Sequence, residues 1–442
     1  MATRKKQQAA PATRRVVIVN GVRTPFQKAF GAFMEMDTIA LGEAAVKGLL
    51  ARTPVARDQI DAIVWGGVIL PAGAPNVGRE IALDLGLPAS VEARTVTRAC
   101  ASGLQAITDA AASIALGEVD VVIAGGSDST SNARLELPQT LVHKLAPVAM
   151  SGKSGPLDYM KAIASLSPAR DLIPQKPEIA ERTTGEVMGQ AAERMAVRNG
   201  ITREAQDRFA AMSHHRAAAA AESGRFSREV VAVETPKGKT VTSDGLVRAN
   251  TSEEKLAKLR PAFRKDGTLT AGNSSPLTDG AAAVLLMSED KALELGLTPL
   301  AVVETWAYVG VDPADQLLIG PALAIPKALD RAGLTLADMD LVDLHEAFAA
   351  QVLCVTKMLE SDAFARERLG RDAAVGVVDE AKLNVHGGSV AIGHPFGATG
   401  ARMVSTMAHE LATTDAKRAV LGICAAGGLG AAAILSKWEA AT

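Results

Sequence analysis

The sequence predicts an α/β fold made of two related halves with a segment inserted between them. Three observations carry this prediction. Apolar runs of strand length alternate with stretches of helical spacing, the same order recurs late in the chain, and a proline-rich interval of different character separates the two occurrences. At 442 residues the chain also exceeds what one ordinary core can hold, so more than one domain is expected.

The elements follow in order. Arg15-Val-Val-Ile-Val-Asn20 is a short apolar run of the kind a buried strand uses. Thr38 to Leu50 has helical spacing, and Asp61-Ala-Ile-Val-Trp65 is a second strand. A segment around Cys100 then opens a small-residue helix that reaches Leu116, followed by a strand over Val119 to Ala124. Strands alternating with helices imply βαβ units and a mostly parallel sheet covered on both faces. Ser131 to about Ser243 differs, being rich in proline at first (Pro138, Pro147, Pro156, Pro168, Pro174, Pro177) and then strongly helical. Within it, Thr202 is placed to cap a helix that runs to Ser223 and stops at Gly224. An insertion of this size on an α/β core shapes access to a site. Near the end, Ala419 to Leu435 is uncharged for 17 residues. Gly422, Gly427, Gly428 and Gly430 interrupt it, so it reads as two buried strands joined by a glycine turn rather than a membrane span.

The repeat is visible in register. Val46–Trp65 aligns without gaps on Ile325–Leu344, matching Leu50 to Leu329, Arg52 to Arg331 and Asp61 to Asp340. Cys100-Ala-Ser-Gly103 then corresponds to Gly397-Ala-Thr-Gly400, and Val122-Ile-Ala124 to Val420-Leu-Gly422. Two diverged copies about 280 residues apart are the economical explanation, with generic βαβ similarity as the alternative. The resulting division is a basic arm over 1–14, a first half over 15–130 completed by 244–290, an inserted loop domain over 131–243, and a second half over 291–442.

Composition narrows the function. A hydrophobic content of 48% with only 3% aromatic describes a soluble protein packed densely from small side chains. A formal net charge of −2 provides no field for nucleic acid. Three scattered cysteines, Cys100, Cys354 and Cys424, cannot form a disulfide framework, and no C-x-x-C pair suggests zinc. A reducing, cytoplasmic location and no metal are therefore expected. The first fifteen residues carry basic side chains but no apolar core, so they are not a secretory signal and read better as a disordered arm than as a transit peptide.

Three segments concentrate Cys, His and Gly where elements begin or end. In Thr97-Arg-Ala-Cys100-Ala-Ser-Gly103 the cysteine precedes a helix whose apolar positions are Leu104, Ile107, Ala111 and Ile114. Unpaired N–H groups and the helix dipole there favour thiolate, making Cys100 a candidate nucleophile, with a buried structural cysteine as the alternative. In Asn384-Val-His-Gly-Gly-Ser-Val-Ala-Ile-Gly-His394-Pro-Phe-Gly-Ala-Thr-Gly400, His394 is held between Gly393 and Pro395 as a candidate general base. A capped turn histidine is the alternative; a dinucleotide fingerprint is absent. In Gly422-Ile-Cys424-Ala-Ala-Gly-Gly428 a second cysteine lies in a glycine turn after a buried strand. A thiolate that takes an acyl group, a histidine that removes its proton and a second thiol that exchanges a proton with carbon are the parts a retro-Claisen cleavage needs.

With Gly21-Val-Arg-Thr-Pro-Phe26, Arg98-Ala-Cys-Ala-Ser-Gly103, Gly125-Gly-Ser-Asp-Ser129, Ala271-Gly-Asn-Ser-Ser275, Pro276-Leu-Thr-Asp-Gly280, His345-Glu-Ala-Phe348, Gly393-His-Pro395 and Cys424-Ala-Ala-Gly-Gly428 in this order, the chain resembles the thiolase family over nearly its whole length. The resemblance implies the thiolase fold, two βαβαβαββ halves in a layered αβαβα arrangement with an inserted loop domain. It also implies cleavage of a 3-ketoacyl-CoA with CoA, or the reverse condensation, with CoA as co-substrate and no permanently bound cofactor. By resemblance, Cys100 is acylated, His394 activates it, and Cys424 is the acid and base at carbon. The N–H groups of Cys100 and Ala426 would hold the tetrahedral oxyanion, Ala426 standing where many relatives have Gly. His394 and His345 would hold the enolate oxygen. Many thiolases carry Asn at the latter position, whereas the trifunctional-protein β-subunit branch carries His; a strand-end histidine that orients Glu346 is the bland reading. Ser275 would touch the pantetheine arm and Met188 would line the acyl pocket.

His386, where many relatives have Asn, receives no role. His143, His214, His215 and His409 lie outside every motif and suit surface or helix-face positions, and Cys354 suits a core position. Leu157, Met160, Ile163, Ala164 and Leu166 form an apolar face beside Lys161 and Arg170. It packs on its own loop domain or, alternatively, docks a partner or a membrane surface, since trifunctional-type thiolases pair with a hydratase/dehydrogenase α subunit. A homodimer or homotetramer is expected. The rival activities are a decarboxylating ketoacyl synthase, which lacks the second catalytic thiol, and a scaffold for a hydratase/dehydrogenase; Cys424 paired with Gly393-His-Pro395 disfavours the first.

Overall fold

A computed structural model describes residues 14–174 and 180–440. Apart from Arg14, the expected basic arm lies outside the described residues. The first half opens with β1 (Val16–Arg23), the two-residue β2 (Gln27–Lys28), α1 (Thr38–Arg52), β3 (Ala62–Gly66), α2 (Val77–Asp84), β4 (Glu92–Val96), α3 (Ser102–Leu116) and β5 (Val121–Ser129). These elements extend the expected strands by a few residues, chiefly at β5.

One compact unit then stands by itself over residues 132–180. It contains α4 (Gln139–Ala149), α5 (Pro156–Ala164) and α6 (Pro168–Asp171). Buried Asp171 ties it together, accepting from Thr140 Oγ1 at 2.7 Å and Lys144 Nζ at 2.8 Å. The apolar face of α5 does not pack inward: Leu157, Met160 and Ile163 are all about 60% exposed.

From Glu181 onward the chain rejoins the main unit. There it forms α7 (Met188–Asn199), α8 (Arg203–Glu222), the short β6 (Val233–Glu234) and β7 (Thr240–Val241), α9 (Glu253–Leu256) and β8 (Thr278–Ser288), the last strand of the first half. Thr202 caps α8 through its hydroxyl, which accepts from the Ala205 N–H. Then come α10 (Glu289–Glu294), β9 (Ala301–Gly310), α11 (Pro321–Ala332), β10 (Leu341–Leu344), α12 (Ala349–Leu359), α13 (Asp362–Phe364), α14 (Ser389–Ile392), α15 (Phe396–Thr413), β11 (Arg418–Ala425) and β12 (Leu429–Lys437).

Ten strands form one sheet in the order β10-β11-β12-β9-β1-β8-β5-β3-β4, with β2 on β8. Within the sheet the halves join where Val17 and Ile18 of β1 pair with Val302 and Ala301 of β9. The expectation of a mostly parallel sheet is corrected. Only β3–β4, β3–β5 and β10–β11 are parallel, because each half ends in a strand that returns antiparallel, β8 beside β5 and β12 beside β11. The three-residue turn between β11 and β12 permits no other pairing.

Alternation along the strands separates the layers. Val121 and Ile123 of β5 face α1 and α2, while Val122 and Ala124 face α3 and α15. Leu421 and Ile423 of β11 meet the same two central helices, and Val420 faces α11 and α12. Helix, sheet, helix, sheet, helix is the result. The duplication extends to single atoms. Asp61 Oδ2 accepts the N–H groups of Asp120 and Val121 at the start of β5, and Asp340 Oδ2 accepts those of Lys417 and Arg418 at the start of β11.

Candidate active site

Strand β4 enters a tight turn before α3. Ala99 there has φ 45°, a left-handed value that costs a non-glycine residue about 1–3 kcal/mol. Ser102 offsets that cost, its Oγ accepting the Arg98 N–H at 2.7 Å and donating to the Ala99 carbonyl at 2.6 Å. The turn leaves Cys100 half-buried immediately ahead of the helix N-terminus. Central helices α3 and α15 cross closely because a Cβ on Gly103 or on Gly126 would fall inside contact distance of the Gly397 carbonyl oxygen. That crossing brings the start of α15, with His394 just before it, to the start of α3.

His345 follows β10, and its N–H is bonded to the Gly422 carbonyl at 2.8 Å. The His394 N–H is bonded to Thr278 Oγ1 at 3.0 Å. The two imidazoles face each other with centroids 4.1 Å apart and planes tilted by 43°. Each Nδ1 has a hydroxyl partner, Ser389 Oγ at 3.0 Å for His345 and Thr399 Oγ1 at 2.6 Å for His394. Each Nε2 is buried with no hydrogen-bond partner among the described residues. One nitrogen of each ring and the Cys100 sulfur lie within 4.8 Å of one another.

Cys424, at the end of β11, is fully buried and near enough to Cys100 for the two sulfurs to interact electrostatically. Just beyond it, the Ala426 N–H approaches the Cys100 sulfur, as does the N–H of Cys100 itself. Ala426 does not have a positive φ, so alanine supplies this N–H without strain.

Burial dominates the titration of the site. It pushes the Cys100 thiol up to about 11, outweighing the two N–H groups that favour thiolate. The thiolate expected from the helix terminus is therefore corrected: the resting sulfur is a thiol. Burial also raises Cys424 well above the ordinary thiol range, helped by Cys100. It lowers His394 to about 3 and His345 well below its usual value, with the buried Arg402 guanidinium adding to both. Two thiols and two neutral imidazoles thus share one pocket. Cys, His and His are also metal-ligand types, but the Arg402 charge behind both rings opposes a cation there.

Surrounding segments hold this arrangement. Ser275 N–H bonds to the Ala347 carbonyl at 3.0 Å, and Ala349 N–H to Asn273 at 2.9 Å, stitching the Ser275 turn to the segment after His345. Ser275 is half-buried. Met188 starts α7 and packs on the core cluster that contains Cys424 and Phe348. Glu346 is buried and accepts from Asn384 Nδ2 at 2.7 Å, Ser213 Oγ at 2.7 Å and the Val390 N–H at 3.0 Å. His386 Nε2 lies 2.6 Å from Glu410 on α15, which anchors the glycine turn to that helix. Asp128 accepts N–H groups from Val68, Ile69 and Gly397, joining the two halves beside the reactive sulfur. The sequence reading missed Thr399, Ser389, Arg402 and Asp128 as parts of the site. Thr399 is the one it had a signal for, a hydroxyl one turn into the helix that His394 precedes. His214 on α8 and His409 on α15 do take helix-face positions, but the faces are buried rather than at the surface, and His409 Nε2 lies 2.9 Å from the Gly21 carbonyl. Cys354 lies in the core on α12, as expected.

A layered duplicated fold with two cysteines and two histidines at the ends of its central elements defines a class of acyl-transfer enzyme. Thiolase N-terminal and C-terminal domains match residues 16–290 and 297–437, and the chain belongs to the thiolase family. It is 47% identical over 423 residues to the 3-ketoacyl-CoA thiolase of Yersinia enterocolitica, covering 95% of this chain and 96% of that one. Among solved structures it is similar to Bacillus anthracis acetyl-CoA acetyltransferase, with TM-score 0.81, 34% identity and coverage of 97% of this chain and 100% of that one. It is also similar to human mitochondrial 3-ketoacyl-CoA thiolase in complex with CoA, with TM-score 0.82, 33% identity and coverage of 96% and 98%.

Proposed function

We propose that the chain is an acyl-CoA C-acyltransferase that cleaves a 3-ketoacyl-CoA with CoA to acetyl-CoA and a shortened acyl-CoA, or runs the reverse condensation. The observation that carries this reading is the meeting of the Cys100 sulfur with two partnerless imidazole nitrogens, beside a second buried thiol. His394 takes the Cys100 proton as the sulfur attacks the 3-keto carbon; both start neutral, so no charge is buried before the bond forms. The Cys100 and Ala426 N–H groups stabilise the tetrahedral oxyanion. The C2–C3 bond then breaks, and the electron pair moves onto the thioester enolate held by His345 and the newly protonated His394. Cys424, kept protonated by burial, delivers the proton to C2 and releases acetyl-CoA. The incoming CoA thiol gives its proton to the Cys424 thiolate and takes the acyl group from Cys100, whose departing sulfur recovers its proton from His394. Ser275 contacts the pantetheine arm and Met188 borders the acyl chain.

Within the same reading the protein is a cytoplasmic homodimer or homotetramer that needs no resident cofactor. The open α5 face with Leu157, Met160 and Ile163 suits docking of a hydratase/dehydrogenase subunit or contact with a membrane surface. Liposome co-sedimentation without binding would remove the membrane version. The activity itself is tested by a turnover profile on 3-ketoacyl-CoAs of increasing length with Cys100→Ala as control. The expected result is turnover by the wild type and loss of both turnover and acyl-enzyme mass in the variant. Retention of either by the variant places the nucleophile elsewhere.

A further inference from the structure

The two histidines look equivalent from within the pocket, since each presents a partnerless Nε2 and hides an Nδ1 behind a hydroxyl. Their hydroxyls differ. Among the described residues, the one side-chain partner of Thr399 Oγ1 is the His394 ring. Ser389 Oγ has a second neighbour, Arg402 Nη2, which donates to it at 3.5 Å. Arg402 is 1% exposed and held on its other side by Asp343, 3.4 Å from Nη1.

Donor counting decides the polarity at Ser389. A guanidinium only donates, so one lone pair of Ser389 Oγ is occupied by Arg402 and the hydroxyl proton must go elsewhere. Ser389 is wholly buried, and among the described residues the only other side-chain partner of its oxygen is His345 Nδ1. Were the ring to donate to Ser389, the hydroxyl proton would be stranded in the interior at a cost of about 1–3 kcal/mol. Donation from Ser389 to Nδ1 satisfies all three groups and puts the only proton of the neutral ring on Nε2.

We infer that Arg402 and Ser389 are positioning residues that fix His345 as the Nε2–H tautomer, so that it enters the reaction as a hydrogen-bond donor. This rests on the acyl-transfer reading above and assigns the ready donor among its polar groups. Burial, with the Arg402 charge adding to it, serves the same end by keeping both rings from binding a second proton. A donor poised before the enolate forms needs no reorganisation when charge arrives.

Neutron diffraction from crystals exchanged into deuterium oxide tests this directly and needs no activity. The expected map shows a deuteron on His345 Nε2, none on its Nδ1, and the Ser389 deuteron directed at Nδ1. A deuteron on His345 Nδ1 overturns the inference whatever the enzyme catalyses. Kinetics test the consequence. Ser389→Ala should lower kcat about 10- to 100-fold with little change in KM, with partial recovery in Ser389→Thr. Full kcat in Ser389→Ala overturns the positioning role. Because the wild-type map stands alone, misfolding of a variant does not shelter the proposal. Absence of any ketoacyl-CoA turnover by wild type, with the expected map, would instead count against the acyl-transfer reading.

Discussion

Cys100 should resist alkylation at neutral pH and become reactive only in the alkaline range. The perturbation is pH alone, applied to enzyme without substrate. With its thiol pushed up to about 11 from an ordinary 9.0, Cys100 has a thiolate fraction at pH 8 of about 0.1%, against about 10% for an unperturbed thiol. That displacement corresponds to about 2.7 kcal/mol, more than the ~0.3–1 kcal/mol a helix terminus typically offers a charge. A less acidic thiolate is intrinsically more nucleophilic, which returns close to a factor of ten. The net expectation is iodoacetamide alkylation about tenfold slower than for an ordinary cysteine at pH 8.

The rate should climb about tenfold per pH unit and level off near pH 11. The assay is mass-spectrometric quantitation of the Cys100 peptide across pH 6–11, paired with thiolate absorbance at 240 nm. Neither other cysteine interferes, since burial pushes Cys354 up to about 12 and raises Cys424 well above the ordinary range. A preformed thiolate–imidazolium pair would behave oppositely, with a rate flat from pH 6 to 9. That plateau, or neutral-pH absorbance that disappears in Cys100→Ala, would refute the claim that burial outweighs the helix terminus here.

Three further outcomes follow from the same geometry. Thr399→Val removes the hydroxyl 2.6 Å from His394 Nδ1 and should lower kcat about 10- to 100-fold, from about 1–3 kcal/mol of lost orientation, with near-native thermal stability; steady-state kinetics beside a thermal melt check both halves. Stability should fall on acidification below pH 6.5. His394 and His214, lowered to about 3 and about 4 by burial, stay neutral in the folded chain while the unfolded chain takes up their protons, so each costs about 1.4 kcal/mol per pH unit until its folded value is reached; urea unfolding at pH 7.5, 6 and 5 measures this. Gly103→Ala drives a methyl group into the Gly397 carbonyl and should cost about 1–3 kcal/mol of stability. It should also lower kcat by spreading the helices that carry Cys100 and His394.

What could be read in advance, and what could not, divides along a physical line. The duplication was legible because each copy repeats a local device. An aspartate directly ahead of a strand captures the N–H groups that open its neighbour, and Asp61 and Asp340 perform that act in the two halves. Cys100, His394 and Cys424 stood out because glycine-bounded turns at the ends of strands and helices are local features too. The antiparallel returns of β8 and β12 escaped the alternation argument, since a run of small apolar residues looks alike in either direction. The burial of His409 depends on the Gly21 carbonyl, 388 positions earlier, and that of His214 on the backbone at Arg248. Protonation states were least legible of all. Helix-terminus chemistry is encoded within a few residues and argues for thiolate, whereas the surrounding dielectric is set by the whole crossing of α3 with α15. The same desolvation raises both thiols and lowers both imidazoles, so each donor is held protonated and the base unprotonated over the same pH range. Proton transfer and carbon–sulfur bond formation must then occur together, because either one alone would leave an uncompensated charge in that interior.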